Sequence, residues 1–269
     1  MLTTRSQRWR DRRARFVDDQ SVIDPRLYAV DVIEAQQARR FVAEHHYLPT
    51  YPAAKLAVGL FGPGAAGTPK LVGVAVFGVP TTDAVVTKHS GMAGNEACCL
   101  SRLVLTDEVA GNGESFATAR AFRLLRREKP AMEAVVSFSD PAQGHVGQVY
   151  CALSAAYRGQ SAPRTIYAVC GRGINGRTLS KVRLGERGAA AAVDRLVAMG
   201  APPPDPREDL AAWVDRLHRE RILRRSTHPG LHTYSFALTR RARARARRLP
   251  LKPYPTIHAL ARPQLALDI

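Results

Sequence analysis

The chain has 269 residues, 40 of them Lys or Arg and 23 Asp or Glu, for a formal net charge of +17. Apolar residues make up 45% and charged residues 23%, which fits a globular protein and excludes a wholly disordered one. No run of roughly 18 apolar residues offers a membrane span, and the Arg-rich start lacks the apolar core of a secretory signal. The charge therefore points to a polyanion, with nucleic acid first and a membrane surface second.

The charge is uneven. Residues 1–15 hold Arg5, Arg8, Arg10, Arg12, Arg13 and Arg15 against Asp11, and residues 240–248 read RRARARARR. These stretches carry +5 and +6 of the total. The expected layout is a basic arm over 1–24, a folded domain over 25–239 and a basic tail over 240–269. In the tail, Arg240, Arg241, Arg243, Arg245, Arg247 and Arg248 are the expected phosphate contacts, with the salt dependence that counterion release brings. The four cysteines, Cys98, Cys99, Cys151 and Cys170, form no CxxC pair. They read as reduced thiols of a cytosolic protein.

In chain order, 27–32 (LYAVDV) alternates like a half-buried strand. A helix is expected over 34–46, ended by Pro49. Strands at 55–61 and 71–79 flank the turn-rich 62–69 as a hairpin. An irregular insertion follows at 81–95, then a strand at 98–105. A glycine-bearing loop, 109–115, leads into a helix to about 128. Residues 134–138 form a strand ending in Ser139-Asp140-Pro141, and a helix is expected from Gly144-His145 to about 156. A strand at 164–170, helices at 187–199 and 207–219 and a last strand at 232–238 complete an α/β or α+β domain around one sheet.

Three segments carry chemistry. In EHHYLP (44–49), only one of His45 and His46 can face the core. The other is free to serve a site, with Tyr47 beside it, as a base or a metal ligand. In SFSDPAQGHVGQVY (137–150), Ser139 and Asp140 sit at the C-terminal end of a strand, where open sheets place ligands. His145 lies between Gly144 and Gly147, and Tyr150 one turn further. Asp140 as a cap for the following turn is the plainer reading. Arg102, mid-strand among apolar residues, needs a partner if buried; Asp140 or a substrate phosphate would serve. The loop before the helix at 115, with Asn112, Gly113 and Ser115, offers backbone N–H groups to an anion such as a pyrophosphate, or is an ordinary turn.

LSRLVL, a loop with GNGES, a helix, then SFSDPAQGHVGQVY and AAYRG together resemble the Mom proteins of Mu-like phages, over about residues 27–238. His46-Tyr47, Thr178-Leu179-Ser180-Lys181 and 232–238 fit the same pattern. The resemblance implies a GCN5-related acyltransferase-like (GNAT-like) fold: a mixed central sheet flanked by helices, within the bacterial cytoplasm during infection. It implies transfer of a methylcarbamoyl, glycinamide-like group to the exocyclic amine of adenine in double-stranded DNA, which hides the base from restriction enzymes reading the major groove. It implies iron, held by His46, Tyr47 and Asp140, and acetyl-CoA or another activated donor. Asp140, Ser139, Tyr150, His46 and Tyr47 become the catalytic candidates, and Arg102, Asn112, Gly113 and Ser115 the cofactor contacts. The loop departs from the usual pyrophosphate loop in starting with Glu108. The alternatives are an acyl-CoA-dependent N-acyltransferase acting on a protein or small molecule, and a DNA-binding protein without activity.

Overall fold

The computed structural model describes residues 22–255, and the backbone of 6–10 and 13–17. The expected arm over 1–24 and the tail beyond 255 lie largely outside the described residues. Strands β1 (Ser6–Arg10) and β2 (Arg13–Val17) pair antiparallel. Next come β3 (Ala29–Val32), α1 (Ala35–His45), β4 (Ala54–Gly62), β5 (Lys70–Gly78), α2 (Asp83–Ser90), β6 (Ala97–Leu105), α3 (Gly113–Glu128), β7 (Ala134–Ser139), α4 (Gln148–Ala152) and β8 (Ala156–Gln160). An inserted unit holds β9 (Arg164–Val169), β10 (Arg172–Ile174), α5 (Gly176–Arg183), α6 (Ala189–Ala198), α7 (Leu210–Arg219) and β11 (Leu223–His228). The chain closes with β12 (His232–Ala237) and α8 (Arg240–Ala246).

The first unit, everything outside 162–230, is a seven-stranded mixed sheet in the order β3-β4-β5-β6-β7-β12-β8. Every pairing is antiparallel except β6 with β7. Its strands alternate between two covers, as the two-residue side-chain period requires. Val135, Tyr234 and Phe236 pack with Leu125 of α3. Val136 and Cys99 pack with Val86 of α2 and Ala242 of α8. Helix α1 buries Ala38, Phe41 and Val42, an i, i+3, i+4 stripe, on Ala57, Val74 and Val76. This is the mixed sheet flanked by helices expected from the sequence.

The inserted unit, 162–230, has its own core. Trp213, Leu217 and Leu196 of its helices meet Val169, Ile174 and Leu223 of an antiparallel sheet ordered β10-β9-β11. The body expected as one domain over 25–239 thus divides into two compact units. At the junction, Ser161 and Leu231 are tied by two hydrogen bonds, so the insertion leaves and re-enters the first unit at one point.

Other local differences have physical causes. The expected irregular stretch 81–95 contains α2, ended by Gly91 in the left-handed region (φ 73°). The expected helix from Gly144 to 156 shrinks to Gln148–Ala152, because Gly144 and Gly147 both hold φ 72°; residues 156–160 form the edge strand β8 instead. The start of the expected basic tail is the helix α8. Its N-cap Thr239 accepts from the Ala242 N–H, and Ala242 is fully buried. Arg158 of β8 donates to the carbonyls of Ala246, Leu249 and Pro250, sewing the helix end to the sheet edge.

Arg241 secures the other side of α8. Its guanidinium bonds both oxygens of Glu133 and also reaches Glu96. Those contacts hold Glu133 down at about 2, with Arg241 the main cause and Thr239 the next. A carboxyl depressed in the fold stabilises it above the ordinary value of 4.5 and loses that contribution as pH falls toward 2. Arg241→Gln should therefore lower the thermal midpoint by a constant amount above pH 5. The gap to the parent should shrink between pH 4.5 and 2, as measured by circular dichroism melts. A gap independent of pH would contradict the assignment.

Candidate active site

The only parallel pair in the described sheet, β6 with β7, runs for four residue pairs, from Ala97 opposite Ala134 to Leu100 opposite Ser137. Ser137 Oγ donates to the Leu100 carbonyl at 3.2 Å at the last pair. Beyond it the strands stop pairing, although β6 continues to Leu105 and β7 to Ser139. Carboxyl ends of parallel strands are where open sheets accept ligands.

The β6 side of this opening is furnished by the segment after α1. Arg102 donates to the Thr50 carbonyl at 2.7 Å and 3.2 Å, to Thr50 Oγ1 at 3.1 Å and to the Ser101 carbonyl at 2.7 Å. Its partners are thus backbone and hydroxyl oxygens of the 46–50 segment, where the sequence pointed to Asp140 or a phosphate. The effect is to fasten that segment to β6. His45 packs on Phe41, ring centroids 4.4 Å apart, while His46 turns toward the site and stacks on Tyr47 at 4.5 Å.

The β7 side is a turn made by Asp140–Gly147. The Asp140 carboxyl accepts from the Ala142 N–H at 2.9 Å, and its carbonyl accepts from the N–H groups of Gln143 and His145 at 3.0 Å each. The capping role and the site role thus fall on one residue. This turn carries His145 to Tyr47, edge to face at 5.7 Å. Tyr150, one turn into α4, packs on Tyr234 at 5.2 Å. Ser139 is buried beside Tyr234, whose hydroxyl donates to the Val146 carbonyl.

Burial sets the protonation states. His46 is pushed down to about 4 by desolvation and then by the Arg102 charge. Desolvation lowers His145 too, against the pull of Asp140. Tyr47 is pushed up to about 12 by burial and by Asp140, and Tyr150 is raised by burial. At neutral pH both imidazoles are uncharged and both phenols protonated. His46 Nδ1 lies 2.9 Å from the Leu48 N–H and 3.2 Å from the Leu48 carbonyl, accepting from the first in one tautomer and donating to the second in the other.

Among the described residues no group of three His, Cys, Asp or Glu could hold a metal ion. His46, Tyr47 and Asp140 do converge, but one imidazole, one phenol and one carboxyl fall short of such a group, and the expected iron has no support among the described residues.

The expected cofactor contacts lie at the start of α3. Asn112 is its exposed N-cap, in the left-handed region at φ 65°. Gly113 is buried, because a Cβ there would stand 2.4 Å from Val109 Cγ1. Ser115 Oγ donates to the Asn112 carbonyl at 3.0 Å. Ile23 bonds the Gly111 carbonyl at 2.9 Å, and Lys70 pairs with Glu108 at 2.9 Å. These residues close a turn on themselves, with Ser115 already committed.

The six expected DNA contacts separate. Arg241 is tied to Glu133 and Glu96, and Arg245 donates to the Gly91 carbonyl. Arg240, Arg243, Arg247 and Arg248 are exposed. Arg243 and Arg247 edge a cleft of about 650 Å³ floored by Phe122, Leu153 and Phe236. Helix α8 is anchored at Glu133, before β7 begins, and Asp140 follows its end. Strand geometry puts them roughly 20 Å apart, so the arginine helix does not border the site.

The Mom protein family model matches residues 27–256. The chain belongs to the Mom protein family. The match takes in α8 and both halves of the site. Among curated proteins none matches the sequence. A solved structure, a GNAT family acetyltransferase from Elizabethkingia anophelis with acetyl-CoA bound, is similar at 6% identity and a TM-score of 0.32. The alignment covers 79% of this chain and 99% of that one, a likeness too distant to carry an argument. Among the described residues no helix is long and apolar enough to cross a membrane.

Sequence reasoning placed His145 in the cluster but gave it no role, and it missed Thr50 and the Leu48 N–H. A backbone donor leaves no mark in side-chain chemistry; Thr50 following Pro49 was the available sign. Gly147 is the position on which the β7 side turns. A Cβ there would meet the buried Tyr234 ring at 2.5 Å, on a backbone at φ 72°. Gly147→Ala should cost about 2–4 kcal/mol in chemical denaturation, backbone strain and overpacking together, against about 1 kcal/mol of strain alone for Gly171→Ala, also at positive φ but with nothing near its Cβ. Equal effects would show that the Tyr234 contact is unimportant.

Proposed function

We propose that this Mom-family chain is a transferase that adds a methylcarbamoyl, glycinamide-like group to the exocyclic amine of adenine in DNA, which protects a phage genome from restriction. The observation that carries the reading is the convergence of His46, Tyr47, Asp140, His145 and Tyr150 at the parted end of β6 and β7. Family membership supplies the substrate class.

The adenine amine is a weak nucleophile, so placing it against an activated donor must supply much of the acceleration. A new bond forms from the amine nitrogen to the donor carbon as the donor's bond to its carrier breaks. The amine proton passes to Asp140, with His145 beside it. The Tyr47 hydroxyl, with the neutral His46 ring stacked beside it, is the donor for the oxygen of the transferred group, where charge develops. Tyr150, kept protonated by burial, is the proposed source of a proton for the leaving carrier. In duplex DNA the adenine is stacked and paired, so the base leaves the helix stack to react.

Mass spectrometry of nucleosides from DNA co-expressed with the protein tests this. A deoxyadenosine of increased mass is expected, and unmodified deoxyadenosine alongside folded protein would overturn the reading. Asp140→Asn keeps an oxygen to cap Ala142 and should leave the melting temperature within a few degrees while abolishing the modified nucleoside. Retained modification would remove Asp140 from the chemistry.

A further inference from the structure

The inserted unit holds charge that the arms do not account for. Residues 162–230 contain 13 Lys and Arg against 7 Asp and Glu, a net of +6. Once 1–15, 240–248 and this insertion are set aside, the remaining chain has 15 basic and 15 acidic residues. The scaffold bearing the site is therefore electrically balanced, and the insertion carries as much positive charge as the arginine helix.

Within the unit, acids neutralise only some of the arginines. Arg177 pairs with Glu186, Arg183 with Asp215 and Arg216 with Glu208. Asp209 is spent capping α7. Among the described residues, no carboxylate lies at ion-pair distance from Arg164, Arg221 or Arg224; Arg224 Nε donates instead to the Arg221 carbonyl at 3.3 Å.

Arg164 and Arg224 frame one face of the small sheet, and Arg221 sits in the turn just before β11. Val169, Leu223 and Ile174 face the unit's helices and are buried. The register puts the intervening residues on the other face: Ala168 between Arg224 and Gly173, Ser226 opposite Ile166, and Arg164 at the far end opposite His228. On that face Arg164, Ile166, Gly173, Arg224 and Ser226 are exposed, while His228 is buried. Residues 164 and 168 are four steps apart on β9, so the terminal arginines stand about 13 Å apart, with Ile166, Ala168 and Ser226 between them. The major groove of duplex DNA is about 12 Å wide and admits a β-ribbon, with phosphates along both rims.

We propose that the inserted unit docks duplex DNA on this sheet face, with Arg164 at one groove rim and Arg221 and Arg224 at the other. The proposal rests on DNA being the substrate, and it adds a second phosphate-binding surface, on a different unit from α8.

The test is fluorescence anisotropy of a random-sequence DNA duplex with the full-length protein across a salt series. The variant Arg164→Gln/Arg221→Gln/Arg224→Gln should bind about 10- to 100-fold more weakly near physiological salt. Its plot of log affinity against log salt should flatten by about 2–3, near 0.9 for each phosphate no longer neutralised. The matching Arg→Lys triple variant should keep the parental slope. A Gln variant with the parental melting temperature and slope would overturn the docking face, and so would a Lys variant with the flattened slope. If the parent modifies DNA while the Gln variant binds like it, only this inference falls. A parent that binds no DNA would overturn the substrate reading as well.

Discussion

The site depends on two parallel strands that pair for only four residues. In an antiparallel sheet, adjacent strands can be zipped along their length by their turns. Parallel neighbours have no such turn, and β6 and β7 are joined through the whole of α3. Their outer partners, β5 and β12, hold each strand in its own direction. The pair is thus fixed at its start by the Leu100–Ser137 register and released at its end. Each released end then receives a loop of different origin, fastened by Arg102 on one side and by the Asp140 turn on the other.

The loops bring polar side chains into poorly solvated surroundings, and that selects neutral forms. Two imidazoles lose their tendency to charge and two phenols keep their protons. Such groups donate and accept hydrogen bonds without the desolvation cost of buried ions. The geometry is set largely by backbone: Leu48 brings its N–H and its carbonyl to Nδ1 of the His46 ring, and the Asp140 carbonyl gathers two N–H groups of its turn. The arginine helix α8 is anchored at the other end of β7, about six strand residues from Asp140.

Much of the sheet was readable because strands such as LVGVAVFGV and AVVSF are apolar runs bounded by turn residues. The segment 137–150 was readable because strand end, proline and paired glycines coincide with Asp, His and Tyr. Helix α2 (DAVVTKHS) was not, since eight residues with little apolar periodicity resemble a loop; Gly91 was its one signal. Helix α8 hid behind its charge. Only Ala242 is buried, and the carboxylates that hold Arg241 lie 108 and 145 residues earlier. Arg102 showed the limit of pairing arguments: mid-strand burial called for a partner, and carbonyl oxygens from a segment 52 residues away met the need. Counting charge by runs found the two arms and passed over +6 spread through the insertion.

The most direct test of a site built on poorly solvated neutral groups is the titration of His46, read from imidazole nitrogen shifts by NMR. The ring should stay neutral down to a midpoint near pH 4. A midpoint near 6.5 would contradict a site of this kind.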